Sequence, residues 1–396
     1  MNPVTLWGLT ASPYQLKMQA LLEYAGLPWR RWPDQARTMQ ALRFILQLRR
    51  ARRQKAVQRY PGMVVGMDEY PSVPYYTLDG KSLYYDSSGL ADHLDALGMA
   101  PNWLVPEDPA MAFVCRLIDD AFDEFGLYMV HHNRWAVSAT TNRMGEFTAH
   151  ELRRLAPFQK TLAELLSRRQ ARRCPYLFSV APENFDVGLS EKRTPPIRPG
   201  FPETHSLLNK AWRDYLTAME ALLSAQPYLL GERFTLADAS AYGQLGMNLV
   251  DGRAAELMAE LAPRTYAWLL RIAAGDHRGD DGALNLGDTL KPLLSCIEQT
   301  YVSLMQQNEQ AYEAQQAAGQ SLFNEAAFDR GQALYDGELM GRPFRAVVKT
   351  FQVVTWRELL ASWDQLGEAG QASLQLQYPQ LKSIKHGILS GSNQAR

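Results

Sequence analysis

At 396 residues the chain is too long for one compact core, and length alone points to two or three domains. Hydrophobic residues make up 46% and charged residues 21%, an ordinary globular balance, and a net charge of -1 gives no overall pull toward nucleic acid or an acidic membrane. Cys115, Cys174 and Cys296 are too scattered for a disulfide framework or a zinc site, and an odd number of isolated thiols suits a reducing compartment. The opening MNPVTLWGLTASPY has no basic or apolar signal region, and no run of about 18 apolar residues occurs, so the expectation is a soluble, cytoplasmic chain with no membrane partner.

Residues 4–9, VTLWGL, read as a buried strand. Ser12-Pro13 then starts a helix, with serine as the N-cap and proline in the first turn, where its missing N–H costs nothing. Met18, Leu21, Leu22 and Ala25 continue at helical spacing to Gly26. Residues 28–32 read as a second strand, and 37–59 as one helix ended by Tyr60-Pro61-Gly62. Asp79-Gly80 between 74–78 and 81–85 is a hairpin signal, and Ser87 or Ser88 caps a further helix. The proline-bearing stretch 101–109 reads as a linker.

Beyond it the pattern is helical, with helices expected over 110–135, 146–171, 204–225, 235–250 and 262–274. The proline-rich stretch 174–203 reads as a long surface loop. Further on, 288–317 and 355–366 read as helices, Phe344 to Trp356 has strand composition, and the tail SGSNQAR should fray.

Four segments, in order, resemble the cytosolic glutathione transferases. Ser12-Pro13-Tyr14 is similar to the motif that opens their first helix, and Ser72-Val73-Pro74-Tyr75 to their V-P motif. Tyr85-Asp86-Ser87-Ser88 resembles the acid-serine motif at the third helix. Tyr228-Leu229-Leu230-Gly231-Glu232 with Phe234-Thr235-Leu236-Ala237-Asp238-Ala239 resembles their helical-domain signature, whose physical content is a capping box between Thr235 and Asp238. The implied fold is a thioredoxin-like α/β domain over 1–100, an all-helical domain over 109–275, and a mostly helical extension over 276–396. The long 35–70 region and the loop 174–203 depart from the family pattern, and 276–396 matches nothing in it.

The resemblance implies a glutathione transferase: glutathione as co-substrate, a small hydrophobic electrophile as second substrate, a detoxifying role and a homodimer. Glutathione chemistry needs a thiolate, and a free thiol titrates near about 8.5. A hydroxyl donating to sulfur at the positive end of a helix favours the charged form, which gives Ser12 the catalytic role, with Tyr14 as runner-up. Serine in this place, with no cysteine nearby, argues against thiol–disulfide exchange. By the same resemblance Pro74 is cis and Val73 offers its backbone to the tripeptide's cysteinyl part. Ser87 takes the γ-glutamyl carboxylate and Asp86 its ammonium. By composition alone plain capping is the better reading of Ser12, and capping accounts for Asp86 and Ser87 equally well on local grounds.

Tyr128, His131, His132, Arg134 and Trp135 lie late on the first helix of the helical domain, which lines the second-substrate pocket in similar proteins. Adjacent histidines point about 100° apart on a helix, so they do not share a metal, and no metal site is expected. Arg37, Arg43, Arg49, Arg50, Arg52, Arg53, Lys55 and Arg59 form a run without an acid between Asp34 and Asp68. Such a run can attract nucleic acid, but with a balanced net charge it reads as a solvated face. Two rival readings stand beside catalysis by conjugation: a non-catalytic binding or scaffold protein of the same fold, and a glutathione-dependent dehalogenase or isomerase.

Overall fold

The computed structural model describes residues 3–62, 73–183, 185 and 197–384. Ser72, Asp68, most of 184–196 and the SGSNQAR tail lie outside the described residues. Strand β1 (Val4–Trp7) is buried along its whole length. Ser12 is the N-cap of helix α1 (Pro13–Tyr24), and Gly26 leaves that helix with φ 64°, a conformation glycine adopts without cost. Then follow β2 (Trp29–Trp32), α2 (Thr38–Arg53), β3 (Gln58–Arg59), β4 (Tyr75–Thr77), β5 (Tyr84–Tyr85) and α3 (Ser87–Ala96). The sheet order is β2-β1-β4-β5-β3, with β1 parallel to β2 and antiparallel to β4. This is a thioredoxin-like α/β unit with an added edge strand.

Three local expectations change here. The helix expected over 37–59 ends at Arg53: Lys55 turns the chain at φ 52°, and residues 58–59 pair in parallel with β5. A two-residue strand exists only through its partner, so no local pattern announces it. The hairpin turns at Asp79-Gly80 as expected, but its second strand is confined to Tyr84–Tyr85, because the Asp79 carboxylate ties the Lys81 and Ser82 N–H groups into the loop at 2.8 Å each. The N-cap of α3 is Asp86 rather than either serine, and its carboxylate accepts the Ser88 N–H at 3.0 Å.

The helical region opens on α4, one continuous helix over 109–137 that passes through two π-helical turns, Ala121–Gly126 and Asn133–Val137. The single helix expected over 146–171 is two, Met144–Glu151 and Gln159–Arg172. Pro157 disfavours helix in the residue before it, and Phe158 sits at φ 60°. Helices His205–Leu223, Leu236–Gly246 and Pro263–Ala273 stand where expected, and Gly252–Leu261 is an addition. The capping box forms: Asp238 accepts the Thr235 N–H at 2.9 Å.

In the extension, Leu334–Leu339 and Arg342–Val347 form a hairpin, so the strand expected over 344–356 stands as far as Val347 and gives way to helix Thr350–Gln365 beyond. The β-branched run is overridden by packing. Val353, Trp356, Leu359, Leu360 and Trp363 recur at helical spacing and are buried, and Trp363 meets Phe113 of α4 with ring centroids 4.9 Å apart. The described residues of the extension, from Leu290 to Ile384, therefore contribute to a core shared with α4.

The sheet-bearing unit is locked to the helices by a buried ion cluster. Lys17 on α1 has no exposed surface, and its three N–H donors reach Asp119 at 2.5 Å, Asp123 at 2.6 Å and the Ser88 hydroxyl at 2.8 Å. Ser88 donates on to Asp119, and the Ser240 hydroxyl lies 2.8 Å from both carboxylates. Burial alone pushes the ammonium's pKa down, but Asp119 and then Asp123 outweigh it and hold the charge. Beside the cluster, a Cβ on Gly243 would stand 2.8 Å from the Pro13 carbonyl, so the start of α1 lies directly on helix Leu236–Gly246. Lys17→Met leaves two carboxylates buried without a counter-charge and should lower unfolding free energy by about 3–5 kcal/mol in a denaturant titration.

Candidate active site

The loop before α1 is held at two points. The Thr10 N–H donates to Glu151 at 3.1 Å, and Glu151 also pairs with Arg31 at 3.1 Å. One residue on, the Ala11 carbonyl accepts from Arg134 at 3.1 Å. Arg134 is itself fixed, with its Nε 2.9 Å from both oxygens of Asp251 and its other terminal nitrogen donating to the Met247 carbonyl at 2.5 Å. Ser12 follows in an extended conformation and is half-buried, and its hydroxyl makes no cap bond. The capping alternative for Ser12 is thus not what its side chain does. It opens onto a cavity of about 540 Å³, within the usual range of small-molecule sites.

Val73, Pro74, Asp86 and Ser87 line the same cavity, so the four sheet-side residues come together with Ser12. The Val73–Pro74 bond is cis, as are Trp32–Pro33 and Tyr60–Pro61. Asp86 has φ 76°, in the left-handed region, and caps α3 while pairing with Arg59. Burial works against its charge, yet Arg59 and then Lys17 hold its carboxyl below the usual range. Arg59 also donates to both oxygens of Glu358, at 2.7 and 2.8 Å. The basic run therefore divides: Arg37, Arg43, Arg49, Arg50, Arg52, Arg53 and Lys55 are exposed, while Arg59 turns inward to the site.

Of the pocket residues expected on α4, Tyr128, His131 and Trp135 line the cavity and His132 does not. His132 is buried behind it, with Nδ1 2.7 Å from the Ser179 hydroxyl and its ring 4.8 Å from that of His205. The reason is angular: neighbours on a helix face different ways, and only His131 faces the opening. His131 lies 4.0 Å from Cys174 and has its pKa pushed down to about 3, mainly by burial. Tyr14 lines the cavity, but its hydroxyl already donates to the Asp123 carbonyl at 2.8 Å, which ties α1 to the first π turn. Burial raises the thiols of Cys115 and Cys174 to about 12, which suits packing rather than reaction.

Several lining residues were not singled out in the sequence. Lys349, Thr350, Phe351 and Gln352 come from the extension, which closes one wall, and the Gln352 amide donates to the Tyr128 hydroxyl at 2.8 Å. Nothing in the sequence near 349 signals this; it follows only from helix Thr350–Gln365 packing on α4. Glu124 also faces the cavity. Its acidic run, Asp119-Asp120 and Asp123-Glu124, was visible as carboxylates at four-residue spacing on a helix otherwise apolar.

Residues 202–271 match the family described as glutathione S-transferase, C-terminal domain. The unit ahead of it has the thioredoxin-like strand order, so the chain joins a thioredoxin-like fold to a segment that matches this family. Solved structures similar to it include the glutathione transferase GSTFuA3 of Phanerochaete chrysosporium, at 14% identity and TM-score 0.43, covering 69% of this chain and 98% of that one. The glutathione S-transferase CsGST63524 of Ceriporiopsis subvermispora, in complex with glutathione, gives 16% and 0.40, covering 71% and 100%. Beta-etherase LigF of Sphingobium sp. strain SYK-6 gives 20% and 0.41, covering 69% and 96%. No curated protein sequence matches the chain. Among the described residues no helix is long and apolar enough to cross a membrane.

Because His131 is held neutral in the fold and takes a proton when unfolded, its contribution favours unfolding as pH falls below about 6.5, by up to about 1.4 kcal/mol per pH unit. His131→Gln should flatten the stability–pH curve between about pH 6.5 and 5 relative to the parent, read by denaturant titrations at each pH.

Proposed function

We propose that the chain is a glutathione transferase that joins the tripeptide's thiolate to a small hydrophobic electrophile. The observation that supports this most is the Ser12 hydroxyl, which among the described residues makes no hydrogen bond, at the N-terminal end of α1 and open to the cavity it shares with Val73, Pro74, Asp86 and Ser87. The helix end and the hydroxyl both favour a thiolate there. Asp86 stays charged, and a carboxylate has lone pairs for an ammonium beyond those taken by Arg59 and the Ser88 N–H. In this reading residues 1–100 hold glutathione, and α4 with the extension encloses the second substrate. Cytoplasmic placement, a detoxifying role and pairing of two copies belong to the same proposal.

Two variants test it. Ser12→Ala should raise the pKa of the bound thiol by one to two units, about 1.5–3 kcal/mol, in an ultraviolet titration of the thiolate; an unchanged value rejects the role of Ser12. Asp86→Asn should weaken glutathione binding about tenfold by calorimetry, and unchanged affinity would remove the ammonium contact. Binding that persists without turnover of an aryl halide, an epoxide or any other electrophile would leave a binding protein of the same fold.

A further inference from the structure

One acidic group in the cavity has no part in holding glutathione. Glu124 sits in the first π turn of α4, is 8% exposed and lines the cavity. Such turns re-aim side chains within a helix and recur at functional sites. Among the described residues it forms no ion pair. The turn that carries it is tied to the start of α1 by the bond from Tyr14 to the Asp123 carbonyl, so Ser12 and Glu124 open onto one space from elements bound to each other. Of the two tyrosines beside it, Tyr14 donates to that carbonyl and Tyr128 accepts from the Gln352 amide.

We propose that Glu124 is the proton donor of this cavity, serving electrophiles whose attacked carbon leaves its electron pair on oxygen, with epoxides as the type. This deepens the transferase reading and rests on it. The sulfur–carbon bond forms, the ring carbon–oxygen bond breaks, and its electron pair stays on oxygen. The Glu124 carboxyl gives its proton to that oxygen. The proton that glutathione loses on becoming a thiolate restores the carboxyl, so thiol and epoxide give a hydroxy thioether with nothing else consumed. A halide leaves with its electron pair and needs no proton, so it gains nothing from Glu124.

The surroundings keep the carboxyl protonated at neutral pH. Burial raises its pKa most, and Asp123 on its own turn and Asp86 at the start of α3 add to this. A hydrogen bond from Gln352 and the charge of Lys349, both from the extension, pull the other way, and the balance is about 8. Lys17 of α1 is spent on Asp119 and Asp123. Asp120 and Tyr301 lie beyond, and burial and neighbouring carboxylates raise the pKa of both. Gln352 and Lys349 thus tune the donor's acidity, which gives the extension a chemical task.

The test compares styrene oxide with chlorodinitrobenzene on the full chain with glutathione. Glu124→Gln should lower kcat for styrene oxide about a hundredfold and leave chlorodinitrobenzene nearly unchanged. The parent's epoxide rate should decline above about pH 8, where Glu124 loses its proton, while its halide rate does not. Gln352→Leu, which spares Glu124 itself, should shift the pH at which the epoxide rate declines. It keeps the idea open to refutation if Glu124→Gln does not fold. Equal losses on both substrates, or no loss on either, would overturn the proposal. Halide turnover with no epoxide turnover in the parent would overturn it alone; no turnover of either would overturn the transferase reading as well.

Discussion

Lys17 enters the boundary between the sheet and the helices with its whole side chain buried, and the molecule's working geometry depends on how that charge is met. Removing an ammonium and two carboxylates from water costs several kcal/mol each, and attraction offsets this only where every donor and lone pair is placed. Here all three N–H groups have acceptors, and Ser88 and Ser240 satisfy the carboxylates further. An apolar boundary could have been as stable, but it would tolerate sliding. The ion cluster permits one register of α1 on α4, and that register brings Ser12 and Glu124 to one cavity.

The loop ahead of Ser12 carries the same logic outward. Glu151 holds Thr10 and Arg134 holds Ala11, so the residue that follows is positioned by two charged side chains from the helical part. Its own hydroxyl is thereby spared from capping. The chain fixes the backbone with remote groups, and among the described residues the Ser12 hydroxyl makes no hydrogen bond, the arrangement that the proposed role requires.

The extension completes what the first 275 residues leave open. Its helix Thr350–Gln365 packs on α4 through Trp363, and its first turn forms a wall of the cavity. Two polar links secure it there, Gln352 to Tyr128 and Glu358 to Arg59. Through Arg59 the second link reaches Asp86, so the extension touches both sides of the site. A segment with no resemblance of its own is thus built into the site that the rest of the chain implies.

Local chemistry determined much of this in the sequence. The apolar run of β1, the serine–proline start of α1, the Asp79-Gly80 turn and the Thr235–Asp238 box are signals carried within a few residues, and each stands in the structure. That Ser12, Val73, Pro74, Asp86 and Ser87 line one cavity was legible for the same reason, since each lies at or just before an element start that the chain marks locally. What tertiary structure alone decided is everything made by contact between distant segments. Strand β3 exists through β5, and the run FQVVTW is helical because it opens a helix that packs on α4. Tyr14 packs rather than donates to the cavity because Asp123 is beside it, His131 faces the cavity while His132 does not, and Arg59 leaves an exposed basic face to meet Asp86. Periodicity reports which residues seek burial; only packing selects the partner, and the partner sets the charge and direction of a side chain.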